Sequence, residues 1–138
     1  MTTSEGQSGS GGVVIVGGGL AAARTAEQLR RADYTGAITI VSDENHLPYD
    51  RPPLSKEVLR AETDDVTLKP AEFYADNDIA VLLGNGARSV DTVAKSLTLA
   101  DGTTLGYDEL VIATGLVPKR IPSFPDLPGI HVLRSLDE

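Results

Sequence analysis

The residues best suited to chemistry lie in Val13–Ala22, which reads VVIVGGGLAA. A fully apolar run breaks into Gly17-Gly18-Gly19, and a helix-forming segment opens at Leu20. In the pattern G-x-G-x-x-G/A the first glycine permits a tight turn and the second lets backbone approach a diphosphate. The third position, a small residue, lets helix and strand pack closely. Gly17, Gly19 and Ala22 occupy these three places. Amides at the helix start face the anion, and the helix dipole adds a favourable field. Asp43 follows about 20 residues later, at the end of the next apolar run, where an acid hydrogen-bonds a ribose hydroxyl. Glu44 stands beside it and could share or replace that role. A carboxylate at this place repels a ribose 2′-phosphate. The string alone fits either FAD or NAD.

These residues need a strand, a helix and a second strand to hold them. Val13–Val16 is predicted as a parallel strand buried on both faces. Leu20–Arg31 carries good helix formers, with Ala22, Ala26 and Leu29 on one face and Arg24, Glu27, Gln28 and Arg31 elsewhere. Thr35-Gly36 breaks the helix and Ala37–Val41 is the second strand, so this stretch is a βαβ unit. Asn45–Leu54 holds three prolines and is expected to be an extended loop. Ser55 is then expected to cap a short helix over Lys56–Arg60. Pro70 opens another helix through about Asp76. Ile79–Leu83 is a short strand, and Ala87–Asp91 and Ser96–Ala100 alternate. Asp101-Gly102 is a hairpin turn signal, Leu105–Tyr107 continues a meander, and Leu110–Ala113 is a further apolar strand ending in Thr114-Gly115. After a proline-rich stretch, Ile130–Leu133 is expected to be a last strand. The order predicts an α/β domain of two or three layers, over residues 12–138, behind a flexible Ser/Gly-rich tail at 1–11.

Composition narrows the function. The chain has 138 residues, enough for one domain with a working core, and a net charge of −8. That balance disfavours nonspecific nucleic-acid binding, which needs a basic face. No apolar run approaches the length of a membrane span, and the N-terminus lacks the features of a secretory signal. There are no cysteines, which removes disulfides, a redox dithiol and a Cys-ligated cluster from this chain and fits a cytoplasmic protein. His46 and His131 stand far apart without a ligand spacing, so no metal site is expected.

Three further segments accompany the glycine turn: Leu47–Lys56 (LPYDRPPLSK), Asp101-Gly102 with Tyr107–Gly115 (YDELVIATG), and His131–Arg134 (HVLR). Together with VVIVGGGLAA they resemble the N-terminal FAD-binding segment of ferredoxin reductases of the putidaredoxin reductase and rhodocoxin reductase type. This is the branch of the pyridine nucleotide-disulfide oxidoreductases that includes apoptosis-inducing factor. The resemblance covers about residues 12–138. The R-P-P-L-S-K string is specific to the branch, and A-T-G is shared more widely.

The resemblance implies a Rossmann-like, glutathione-reductase-like FAD-binding domain with a parallel sheet and an antiparallel β-meander. Family members are several times longer, so it also implies that this is the N-terminal part. It implies FAD as cofactor. Leu20, Ala21 and the glycine turn would lie against the pyrophosphate and Asp43 against the adenosine ribose. Arg51 and Lys56 would reach the flavin side, Lys56 near the reactive edge. Ala87 would make a backbone contact to adenine, Ala113-Thr114-Gly115 would pass close to the cofactor, and Arg134 would contact the flavin nucleotide. A cation near the flavin favours negative charge on its reduced ring. In the intact enzyme NAD(P)H would be the electron donor. The C-x4-C pair of the disulfide reductases is missing, so electrons would leave singly to a 2Fe-2S ferredoxin or a rubredoxin serving an oxygenase system. No side chain here is expected to act as acid, base or nucleophile. The rival reading is an FAD- or ADP-binding module, or a truncated fragment, without turnover of its own.

Overall fold

A computed structural model describes residues 11–138. The tail expected over 1–11 lies, but for Gly11, outside the described residues. The chain runs β1 (Val13–Val16), α1 (Leu20–Arg31), β2 (Ile38–Val41), a 3-10 turn (Pro52–Ser55), α2 (Ala71–Asp76) and β3 (Ile79–Leu82). It continues through β4 (Ala87–Asp91), β5 (Ser96–Leu99), β6 (Thr104–Gly106) and β7 (Glu109–Ile112).

A parallel sheet in the order β3-β2-β1-β7 forms the middle layer, and an antiparallel sheet, β4-β5-β6, lies to one side. The side-chain alternation of β1 explains why the run is wholly apolar. Val13 and Ile15 join Ala22 and Ala26 of α1, Tyr74 of α2, and Ile38, Ile40 and Ile79 in one buried cluster. Val14 and Val16 face the other way and pack with Val41 against Leu97, Leu99 and Tyr107 of the meander. Both faces of the sheet are therefore covered, which is the condition under which parallel strands read as continuous apolar runs. The result is a three-layer domain, helices on one side and meander on the other.

Three local expectations are corrected. Lys56–Arg60 is not a helix. Pro52 and Pro53 start a 3-10 turn that ends at Ser55, and Lys56 at φ −128°, ψ −100° leaves the helical region. The bonds beyond it mix spacings: Val58 N–H to the Pro53 carbonyl, Arg60 to Lys56 and Ala61 to Val58. Ser55 closes the turn rather than capping it. Ile130–Leu133 forms no strand, since no neighbouring strand offers it a ladder. Finally, β4 does not alternate: Arg88 to Asp91 are all exposed, and a register shift between Ala87 and Ser89 interrupts its pairing with β5. Among the described residues no helix is long and apolar enough to cross a membrane.

Glu27 departs from its expected place off the core face. Its side chain is 4% exposed and ringed by three cations, Arg24 at 2.8 Å, Arg31 at 2.9 Å and Lys69 at 3.3 Å. Lys69 comes from the loop before α2, so the carboxylate ties α1 to that loop. The Arg24 hydrogen bond, helped by Lys69 and Arg31 and opposed by burial, holds the Glu27 carboxyl below its ordinary value. A depressed carboxylate pKa stabilises the fold above the unfolded value and loses that contribution as pH falls through the folded one. The stability gap between the wild-type chain and Glu27→Gln in urea unfolding is therefore expected to shrink from about pH 7 to about pH 3.5. A gap constant across that range would contradict it.

Candidate functional site

The order β3-β2-β1-β7 reverses direction at β1: the chain moves outward from β1 through β2 to β3, then returns to the other side of β1 with β7. In such sheets ligands bind beyond the carboxyl ends of the strands at this switch point. A cleft of about 540 Å³ opens there. Its walls come from the β1–α1 turn, the ends of β2 and β7, the start of β4, Arg51 and the segment at Arg134–Ser135. The volume lies within the range of ligand clefts, about 300–1,000 Å³.

Each glycine of the turn has a separate reason to be there. Gly17 has φ +121°, and a Cβ on it would stand 2.1 Å from the Ala113 carbonyl oxygen. Its N–H bonds the Val41 carbonyl at 2.8 Å, so the chain leaves β1 wedged between β2 and β7. A Cβ on Gly18 would meet Ser42 Oγ at 2.4 Å. Gly19 differs: nothing lies within 4 Å of where its Cβ would be. That open space is a cradle on the cleft floor that a side chain would fill. Gly19 is also the N-cap of α1, makes no side-chain cap and is followed by no acid in the first turn. The first amides of α1, from Leu20 on, are thus left for an anion.

Three backbone bonds pin the residues on either side of Asp43. Ser42 N–H bonds the Leu82 carbonyl at 2.9 Å, Asn85 N–H bonds the Ser42 carbonyl at 3.0 Å, and Gly84 N–H bonds the Glu44 carbonyl at 3.0 Å. Gly86 completes the frame, because a Cβ there would lie 2.7 Å from Asp43 Cβ. Asp43 itself is exposed and lines the cleft. Glu44 also lines the cleft, but its two oxygens are engaged. Oε1 accepts from Arg51 Nη2 and Oε2 from the Tyr49 hydroxyl, both at 2.5 Å. Of the two acids, Asp43 has the carboxylate open to a ligand.

Of the residues singled out in the sequence, Gly17, Gly19, Leu20, Ala21, Asp43, Glu44, Arg51, Ala87, Ala113, Thr114, Gly115 and Arg134 line this one cleft. Ala22 lies beneath it, fully buried in the α1–β1 core. Lys56 is exposed and stands off the cleft wall, after the 3-10 turn. Arg51 reaches the cleft with its charge paired to Glu44. Arg134 places Nη2 where a Cβ on Gly115 would lie 2.6 Å away.

Sequence reasoning passed over several contributors. Gly86 frames Asp43, and the Asn85-Gly86 pair before β4 is its visible signal. Tyr49, 2% exposed, receives the Leu136 N–H at 3.1 Å and donates to Glu44. Burial and the bond to Glu44 push its phenol up to about 12, so it stays a donor at neutral pH. Leu116, Val117 and Pro118 add an apolar lip after Gly115.

A parallel sheet with an uncapped glycine turn at its switch point and an open carboxylate at the next strand end defines a dinucleotide-binding α/β domain. Residues 11–138 match the family model described as pyridine nucleotide-disulphide oxidoreductase. The chain belongs to that family.

Among curated relatives, it is 43% identical over 128 residues to the ferredoxin–NAD(+) reductase component of the p-cumate 2,3-dioxygenase system of Pseudomonas putida, covering 91% of this chain and 32% of that protein. To the rhodocoxin reductase of Rhodococcus erythropolis it is 38% identical over 129 residues, covering 91% and 30%. Among solved structures, it is similar to the ferredoxin reductase for the CYP199A2 system from Rhodopseudomonas palustris. That match has a TM-score of 0.85 at 39% identity and covers 94% of this chain and 32% of that one. The chain therefore spans about a third of the length of the relatives it matches.

Proposed function

We propose that the chain binds FAD in the switch-point cleft and forms the FAD-binding part of an NAD(P)H-dependent ferredoxin reductase. The observation that carries this reading is the open cradle at Gly19, set against uncapped α1 amides and beside the free carboxylate of Asp43. A diphosphate suits the first two and a ribose hydroxyl the third. The ferredoxin and rhodocoxin reductases among the relatives support the electron-transfer part of this reading, and FAD rather than NAD in this cleft is what the family resemblance implies. Bound FAD would supply hydride acceptance from NAD(P)H and one-electron release to an iron–sulfur carrier or rubredoxin.

The chain's own residues bind and orient. The glycine turn, Leu20 and Ala21 would receive the diphosphate, and Asp43 the ribose. Ala87 and Ala113–Gly115 would let backbone pass close to the ligand. The Arg134 cation would stand toward its phosphate-bearing side. Arg51, paired to Glu44, would serve the wall more than free charge, and Lys56 would need a part of the ligand reaching past the cleft.

Calorimetric titration of the chain with FAD, ADP and NADP tests the reading. FAD is expected to bind more tightly than ADP, and NADP is disfavoured because Asp43 repels a 2′-phosphate. Asp43→Ala is expected to weaken FAD and ADP alike by about tenfold, the worth of one hydrogen bond to a charged group. Equal affinity for ADP and FAD would favour the nucleotide-binding module without turnover. No binding of either would overturn both readings.

A further inference from the structure

Arg134 lines the cleft at the end of a stretch with little to fix it. Between Gly115 and Arg134 the chain has no ladder, and its backbone bonds are local, Phe124 N–H to Ile121, Leu127 to Pro125 and Ile130 to Leu127. The fixing contacts come from the other side. The Leu136 N–H donates to the Tyr49 hydroxyl at 3.1 Å, and Arg51 Nη1 donates to the Arg134 carbonyl at 2.5 Å. Tyr49 and Arg51 are in turn locked together by Glu44, which accepts from both. Leu136 packs against the buried cluster of Tyr49, Leu54 and Val66, and His46 Nε2 lies 2.8 Å from Asp137 Oδ1. The Glu138 carboxylate caps the same segment through the Arg134 and Ser135 amides. The guanidinium of Arg134 itself has no ion pair or side-chain hydrogen bond among the described residues, so its charge is available to a ligand.

We propose that Tyr49 and Glu44 are positioning residues for the cleft: with Arg51 they hold the 134–136 segment so that the Arg134 guanidinium faces the phosphates of the bound dinucleotide. The proposal rests on the FAD reading above. It gives buried Tyr49 a role beyond packing, because its one hydroxyl joins the loop acid to the backbone two residues past Arg134. It also accounts for Glu44, which stands at the ribose end of the cleft with both oxygens directed to the loop.

The test is a double-mutant cycle on FAD affinity in the full chain, using Tyr49→Phe, Arg134→Met and the pair, with urea midpoints measured alongside. Tyr49→Phe is expected to weaken FAD about tenfold in the wild-type background. In the Arg134→Met background it is expected to change FAD affinity by less than about twofold, while its shift of the urea midpoint stays the same in both. A merely structural tyrosine would move stability equally and affinity equally in the two backgrounds, and that additive result would overturn the proposal. Unchanged FAD affinity in Tyr49→Phe would overturn it as well. Glu44→Gln, which keeps the shape and weakens the grip on Arg51 and Tyr49, is expected to give the same non-additive pattern and stands in should Tyr49→Phe not fold. A wild-type chain that takes up no FAD would overturn the FAD reading itself. Uptake with an additive cycle would overturn the positioning role alone.

Discussion

Gly17→Ala is expected to destabilise the domain by about 3–5 kcal/mol, whereas Gly19→Ala leaves the fold nearly intact and removes the ligand. The two residues stand two positions apart in one turn and fail for different reasons. At Gly17 the backbone sits at φ +121° and an added Cβ would meet the Ala113 carbonyl at 2.1 Å. That oxygen is backbone at the end of β7, and it cannot swing away without disturbing the β1–β7 ladder that pairs Val16 with Ile112. Left-handed strain and overpacking then add. Against a whole-domain stability of about 5–15 kcal/mol the loss is large enough to populate unfolded chain. At Gly19 the backbone has φ −100° and ψ −167°, which alanine adopts freely, and the added methyl meets no protein atom. The structural loss is only that of a poorer N-cap, about 1 kcal/mol or less. The methyl instead occupies the cradle a diphosphate needs. Urea unfolding and FAD titration of the two variants separate these outcomes. Equal unfolding midpoints, or undiminished FAD affinity in Gly19→Ala, would contradict the account of the turn.

Arg30→Ala is expected to cost about 2–3 kcal/mol, although Arg30 touches neither the cleft nor a carboxylate. Its guanidinium donates to four backbone carbonyls. Nε reaches Asn77 at 2.7 Å, Nη1 reaches Tyr34 at 2.6 Å and Gly36 at 2.8 Å, and Nη2 reaches Asp78 at 2.8 Å. These carbonyls belong to the link between α1 and β2 and the link between α2 and β3. One side chain therefore joins both helix-to-strand connections on the helical side of the sheet. Removing it leaves several acceptors short of donors, and only the more exposed ones recover water. Arg30→Lys is expected to recover less than half of the loss, since a single ammonium cannot spread over carbonyls from two loops as a planar fork does. Urea denaturation measures both variants, and a change below about 0.5 kcal/mol for Arg30→Ala would place the residue among ordinary surface positions.

The sequence was most readable where local chemistry and tertiary context agree. β1, α1 and β2 follow from an apolar run, glycine punctuation and helical spacing, and the structure places them within one residue of expectation. The turn at Asp101-Gly102 and the opening of α2 after Pro70 follow from residues with narrow backbone preferences. Most candidate cleft residues were legible for the same reason: the glycine turn, the acid after β2 and the Ala113–Gly115 segment all sit at strand ends, where a parallel sheet gathers them.

What escaped depends on contacts between distant segments. Lys56–Arg60 has fair helix formers, but two prolines upstream commit the backbone to a tighter turn. Ile130–Leu133 has strand-like residues and no partner strand. The burial of Glu27 could not be read from α1 alone, because Lys69, which helps neutralise it, comes from a loop 42 positions on. The Glu44–Tyr49–Arg51 cluster joins residues that spacing does not associate, and its contact with Leu136 spans 87 positions. The same cluster distinguishes Asp43 from Glu44, a choice that adjacency in sequence leaves open.

The central claim is that this cleft holds FAD, and the most direct measurement is the visible absorption spectrum of the chain after incubation with FAD and desalting. The account predicts retained bands of oxidised flavin in near-equimolar amount for the wild-type chain, and their loss in Gly19→Ala at unchanged circular dichroism. A wild-type chain that is folded by circular dichroism and emerges colourless would contradict it.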